Sequence, residues 1–286
     1  MPEGDTVYLT ARRLTDALGG APLRRGELRH PRLSTVDLAG RVLDRARPVG
    51  KHLFLRFAGK SAGKSDGKSD GKNGEVSLHC HLGMDGSWAI RDPGRRAPLG
   101  HWTRVVLETT DTLALGQKLL ELALVPTSEE GRLVAHLGPD LLDPDWSAAH
   151  AEEAVRRLSA DPSRELGLAL LDQSVLAGVG NVFKAEVCFL LGVSPWTPVS
   201  EVDTAQAVAL SRKLLLHNAL RPIRNTTGDP RRGRDLWVYG RERTGCLRCG
   251  GRVVGAVQGG GTRERVAHYC PRCQPGPAGS PRTSRG

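Results

Sequence analysis

The stretch CLRCGGRVVGAVQGGGTRERVAHYCPRC, residues 246–273, decides how the rest of the chain is read. Cys246-x2-Cys249 and Cys270-x2-Cys273 stand twenty residues apart, the spacing at which two CxxC turns direct four sulfurs at one tetrahedral ion. This predicts one structural zinc ion held by Cys246, Cys249, Cys270 and Cys273, with no open coordination position for chemistry. The alternating runs RVVGAV and RVAHYC around a Gly-rich turn predict a β-hairpin that carries the ligand pairs. Such a module is too short to build a core, and the metal takes its place. Arg263 and Arg265, two residues apart on the second arm, share one strand face and suit a phosphate backbone.

Charge points outward from this hairpin in the same direction. The net formal charge is +10, and residues 221–286 hold 14 Arg, no Lys and 4 acidic residues, whereas the first 220 residues carry 27 basic and 27 acidic groups and balance. Arginine favours bidentate contact with planar oxyanions, so nucleic acid is the leading partner. A solubilising excess has no reason to concentrate in one region.

At 286 residues and 39% hydrophobic content the chain can bury a core and form two domains with a small module. No apolar run approaches the ~18 residues that span a membrane, and the start lacks a basic-then-apolar signal. The expectation is a cytoplasmic, nucleoid-associated monomer with no membrane partner and reduced thiols.

Between Pro144 and the hairpin the pattern is helical: DWSAAHAEEAVRRLSA with Asp145 as cap, SRELGLALLDQ, GNVFKAEVCFLLGV and DTAQAVALSRKLLLHNAL. In LLDQSVLAGVGNVFKAE one helix ends near Gln173, Gly178 and Gly180 permit tight turns, and Asn181 opens the next helix. A helix N-terminus offers unpaired N–H groups to an anion, and an Asn there adds a side-chain donor; the plainer reading of Asn181 is a helix cap.

Before residue 125 the pattern differs. Residues 5–18 place Val7, Ala11, Leu14 and Leu18 on one helix face, stopped by Gly19-Gly20. Short alternating runs follow, RVLDRARPVG, KHLFLRF, EVSLHCHLG, SWAIRD, TRVVLETT and TLAL, which predict an antiparallel sandwich or barrel. The repeat AGKSAGKSDGKSDGKNGE interrupts them with nothing to bury and reads as a flexible insertion, residues 59–75. His79 and His81 share a face, but two ligands on one strand make a weak metal site, and ordinary strand histidines are the expectation.

MPEG at the start, Gly50-Lys51, HLGMDGS, GVGNVFKAEV and WVYGRERTGCLRCG with YCPRCQ together resemble the formamidopyrimidine-DNA glycosylase and endonuclease VIII family. The resemblance runs from the first residues to about Gln274. It implies an α+β multidomain fold: an N-terminal helix plus antiparallel β-sandwich (1–130), a helix-two-turn-helix domain (140–222), a β-hairpin zinc finger (236–275) and a disordered tail (276–286). Damaged DNA is the implied partner, and the implied activity is a bifunctional DNA glycosylase and abasic-site lyase of base excision repair.

The same resemblance assigns roles. Pro2, once Met1 is removed, is the Schiff-base nucleophile; Glu3 is the proton donor and acceptor; Lys51 holds phosphate and assists the acid chemistry. Met84 matches a wedge that fills the space of an extruded nucleotide, and Asn181 and Arg265 match phosphate contacts near the lesion. Residue 6 is Thr where many members carry a second glutamate, with Asp5 close enough to substitute. LGQKLLELALVP lacks the Arg-Phe pair of the purine branch, NTTGDPRRGRDLW is short for its lesion loop, and the start is MPEG rather than MPEL. These departures favour oxidised pyrimidines over oxidised purines. A non-catalytic damage-binding protein on the same scaffold, or a formamidopyrimidine glycosylase, are the alternatives.

Overall fold

The computed structural model describes residues 1–59, 74–94, 99–261 and 264–279. The insertion read as flexible, apart from its ends, and Arg263 and most of the tail lie outside these residues. The described chain forms two compact units, Met1–Ala135 and His136–Gly286. No described helix is long and apolar enough to cross a membrane.

The first unit begins with α1 (Gly4–Leu18), whose buried side chains Val7, Ala11, Leu14 and Leu18 are those the periodicity predicts. Eight strands follow: β1 (Arg25–Leu28), β2 (Leu43–Val49), β3 (His52–Phe57), β4 (Val76–His81), β5 (Ser87–Arg91), β6 (Thr103–Glu108), β7 (Leu113–Gln117) and β8 (Glu121–Pro126). They form two antiparallel sheets, ordered β1-β6-β7-β5 and β2-β3-β4-β8. One apolar cluster takes Val105, Leu107 and Ala114 from the first sheet, Leu53, Leu55, Phe57 and Leu78 from the second, and the inner face of α1. The architecture is therefore the expected β-sandwich, with α1 completing its core.

Two of these strands are absent from the sequence expectation, for physical reasons. β1, RGEL, is only four residues long and half charged; Arg25 and Glu27 pair at 2.6 Å, and Gly26 is pressed so closely on Leu38 that a Cβ would meet it at 2.5 Å. β8, ELALVP, is an edge strand without a fully buried position, so no alternation marks it. The helix after it, α2 (Glu130–Val134), is tied to β2, β3 and β4, where buried Glu130 accepts from Arg47 at 3.3 Å, Arg56 at 2.9 and 2.6 Å and Ser77 at 2.5 Å. Burial alone would raise this carboxyl, but the hydrogen bonds from Arg56 and Ser77 win and hold it below the usual range.

The second unit contains α3 (Ala148–Leu158), α4 (Leu166–Leu171), α5 (Asn181–Leu191) and α6 (Thr204–Asn218), then the hairpin β9 (Val254–Gln258) and β10 (Arg265–Tyr269). The cap of α3 is Ser147, not Asp145: the Ser147 N–H donates to His150 Nδ1 at 3.2 Å, while Asp145 and Asp143 form the turn before it. α5 is buried along most of its length and carries Ala185 and Phe189 into a cluster with Val238, Cys246, Val253 and Cys270. Its Glu186 accepts from the backbone N–H groups of Trp237, Val238 and Tyr239 at 2.8, 3.0 and 2.9 Å. One carboxylate thus ties the segment leading to the hairpin onto α5.

Candidate active site, anion-binding turn and metal centre

Pro2 is half-buried and Glu3, the N-cap of α1, is completely buried, its carbonyl accepting from Val7 N–H at 3.1 Å. Met1 is 39% exposed. Asp5 is buried and accepts from the Thr6 hydroxyl at 3.3 Å, so the carboxylate beside Thr6 sits within the first turn of the helix. The terminus is thus packed rather than frayed.

Lys51 is the second residue of a two-residue turn: Val49 pairs with His52, and Gly50 supplies the positive φ of 56° that such a turn needs at its first position. α1 packs on β2 in the opposite sense, with Gly20 N–H on Leu43 O at 3.3 Å and Ala46 N–H on Thr15 Oγ1 at 2.8 Å. From Thr15 back to Glu3 a helix rises about 18 Å. From Ala46 forward to Lys51 a strand advances about 17 Å. Pro2, Glu3 and Lys51 therefore reach the same end of the unit although some 50 residues separate them in sequence.

Met84 stands in the turn between β4 and β5, closed by Gly86 N–H on Leu82 O at 2.8 Å. It is 61% exposed, which excludes a role as a core plug. Beside it is Leu120, 69% exposed, whose Cβ would lie 3.0 Å from a Cβ on Gly83. The sequence reading missed Leu120, an exposed apolar side chain on the loop against the residue before Met84. The available signal was a hydrophobic pair, Leu119-Leu120, of which only Leu119 joins the core. Burial pushes the imidazoles of His79 and His81, on β4 before this turn, below the ordinary histidine range.

In the second unit Asn181 is buried at the first position of α5, and its Nδ2 donates to Val266 O at 2.8 Å. Its Oδ1 has no hydrogen-bond partner among the described residues. The bond fixes β10 against the start of α5 and sets Arg265, the residue before Val266, beside it. Arg265 is exposed. Its Nη1 donates to Glu264 O at 2.7 Å, so it is the backbone carrying Arg265, rather than its guanidinium, that the Asn181 bond holds at the start of α5. Asn181 acts here as a clasp, spending one amide hydrogen on the protein rather than both on a ligand.

The four cysteine sulfurs converge, all within 4.8 Å of one another, with Cys246 Sγ 3.9 Å from Cys273 Sγ and Cys249 Sγ 3.6 Å from Cys270 Sγ. Tetrahedral Zn–S bonds of ~2.3 Å place sulfurs ~3.8 Å apart, so the residues fit the ion. Gly251 N–H lowers the Cys249 thiol to about 7, whereas desolvation and the neighbouring thiols push Cys273 to about 12. A divalent cation removes that opposition by stabilising all four thiolates.

Residues 1–120 match the family model of the formamidopyrimidine-DNA glycosylase N-terminal domain, and residues 137–228 that of the formamidopyrimidine-DNA glycosylase H2TH domain. A relative from Streptomyces coelicolor named "Probable endonuclease 8 2" is 50% identical, covering 98% of this chain and 96% of its own. "DNA-(apurinic or apyrimidinic site) lyase Nei2" of Mycolicibacterium smegmatis is 45% identical over 96% of this chain and 99% of its own. In fold, the chain is similar to Lactococcus lactis formamidopyrimidine-DNA glycosylase bound to abasic-site DNA, with TM-score 0.72 and 19% identity over 96% of this chain and 100% of that one.

Proposed function

The chain belongs to the formamidopyrimidine-DNA glycosylase and endonuclease 8 family, and from that premise we propose that it excises oxidised bases from DNA and cleaves the resulting abasic site through its N-terminal proline. The observation that supports this reading is the antiparallel packing of α1 on β2, which directs Pro2, Glu3 and Lys51 toward one end of the first unit.

With Met1 removed, Pro2 is a secondary α-amine. Such amines titrate near ~8, against ~10.4 for a lysine, so a far larger fraction is neutral and nucleophilic at pH 7. Its nitrogen bonds to C1′ of the damaged nucleotide as the C1′–base bond breaks and the base takes a proton, and the C1′–O4′ bond then breaks as O4′ takes a second proton. The nitrogen loses its own proton and the product is an iminium. Glu3, one peptide bond away, is placed to carry protons to and from the sugar. The iminium acidifies the C2′ proton, so the 3′ phosphate leaves by β-elimination. A further proton loss expels the 5′ phosphate by δ-elimination, and water releases the enzyme from the sugar remnant.

Lys51 meets the phosphate beside the lesion, and Arg265 with the N-terminus of α5 takes another. Met84 and Leu120 fill the space left by the extruded nucleotide, replacing lost base stacking with apolar contact. The structural zinc, when bound, stiffens the hairpin that presents Arg265 and takes no part in the reaction. The short segment 225–237 and the missing Arg-Phe pair support oxidised pyrimidines as the preferred lesions, with little reading of the opposite base.

Base release from duplexes containing one oxidised pyrimidine or one oxidised purine tests the assignment. Faster release of the pyrimidine with β,δ-elimination ends is the expected result. Faster release of the purine would overturn the substrate preference, and binding without any release would favour the non-catalytic scaffold.

A further inference from the structure

The outer face of the β2-β3-β4-β8 sheet carries a second cluster of metal-binding groups. Core residues Leu53, Leu78 and Cys80 point inward, so the alternating residues on these strands lie on the opposite face. There His81 pairs in register with His52 on β3 and with Glu121 on β8, and His79 lies two residues earlier on the central strand. His52 and Glu121 thus approach His79 diagonally from either side, within reach of long side chains.

The side chains close this arrangement. His52 Nδ1 is 2.9 Å from His79 Nε2, and the two rings stack with centroids 5.1 Å apart at 22°. Ligand atoms of His52, His79 and Glu121 all lie within 4.8 Å of one another. His81 stands edge-on to His52 at 5.2 Å, and its Nδ1 accepts from Gly83 N–H at 3.0 Å, so it forms a wall of the cluster.

We propose that His52, His79 and Glu121 bind a divalent transition-metal ion, in a site separate from the four cysteines. Two imidazoles and one carboxylate suit zinc, cobalt or nickel and not magnesium or calcium, which require more oxygen ligands. Tetrahedral bonds of ~2.0–2.1 Å place two ring nitrogens ~3.3 Å apart. The His52–His79 pair needs to open by only a few tenths of an ångström, and exposed Glu121 swings in by its own side-chain torsions. Water completes the coordination. The ion would join β3, β4 and β8 next to the Gly50–Lys51 turn. In sequence the third ligand is invisible, because the partners of His79 come from neighbouring strands rather than from its own.

Cobalt titration of the full-length, metal-stripped protein tests the site, since only thiolate ligands give an intense sulfur-to-cobalt charge-transfer band. Two equivalents are expected, one with that band and one with ligand-field bands alone. Glu121→Gln and His52→Gln, which alter exposed or half-exposed positions, should each weaken the second equivalent at least tenfold and leave the first intact. Cys246→Ser should do the reverse. A single equivalent in the wild-type protein, or a second one indifferent to both Glu121→Gln and His52→Gln, would overturn the proposal and leave the two imidazoles as a hydrogen-bonded pair.

Discussion

Two hairpins of this protein present a cation, and they are held in opposite ways. β2–β3 carries Lys51 on a two-residue turn inside a four-stranded sheet, with Leu53, Leu55 and Phe57 anchored in a large apolar core. β9–β10 carries Arg265 in an isolated two-stranded sheet with a Gly-rich turn, held by four cysteines and by Asn181. A side chain that must meet a phosphate at a fixed place needs a stiff support. Where burial supplies stiffness, any surface residue can be presented; where it cannot, metal ligation and a few buried polar bonds replace it.

The largest difference between the hairpins should appear on losing the four-cysteine cluster or the metal it can hold. Cysteine-zinc ligation in small modules is worth about 10–16 kcal/mol, more than the hairpin can replace. Cys270→Ser, or chelation, is expected to unfold β9–β10 and weaken DNA binding at least a hundredfold, while amide exchange in β2–β4 stays slow. Loss of protection in both hairpins together would break the comparison.

The converse perturbation is Glu130→Gln, which removes the charge that Arg47 of β2 and Arg56 of β3 share. Weakening the charge-assisted hydrogen bonds from half-buried Arg56 and exposed Arg47 should cost about 2 kcal/mol in the first unit. The finger should be unaffected, as amide exchange resolved by segment would show. Because the Glu130 carboxyl is held below its ordinary range, its contribution is present above about pH 4.5 and is lost as pH falls through the folded value. The stability gap between wild type and Glu130→Gln should therefore close at low pH. A gap independent of pH would assign the loss to packing.

Smaller effects separate presentation from fold. Lys51→Ala and Arg265→Ala should each weaken DNA binding and lower the slope of log K against log salt by about 1, without a change in melting temperature. Asn181→Ala, which removes the clasp to Val266, should act like a weak form of Arg265→Ala and add about 1 kcal/mol of destabilisation. An unchanged salt slope in Arg265→Ala would take that residue out of the phosphate interface.

The same contrast decides what could be read from sequence. The finger announces itself, because cysteine spacing is a covalent constraint written locally. The sandwich is legible through alternation wherever one face is buried, and silent where it is not, as at charged β1 and edge strand β8. Capping was misplaced at α3 because Asp143, Asp145 and Ser147 all have cap chemistry and only tertiary placement selects Ser147. The grouping of Pro2, Glu3 and Lys51 follows from how α1 lies on β2, which no local pattern encodes. Leu120 and the partners of His79 escaped for the same reason: their neighbours are on other strands.

The central claim is that the α-amine of Pro2 attacks the sugar. Borohydride reduction during reaction with an abasic-site duplex, followed by mass analysis of the trapped peptide, tests it most directly. A DNA remnant on the N-terminal peptide that begins with Pro2, and no trapping when Met1 is retained, is the predicted result. Trapping on an internal lysine, or undiminished trapping with Met1 in place, would contradict it.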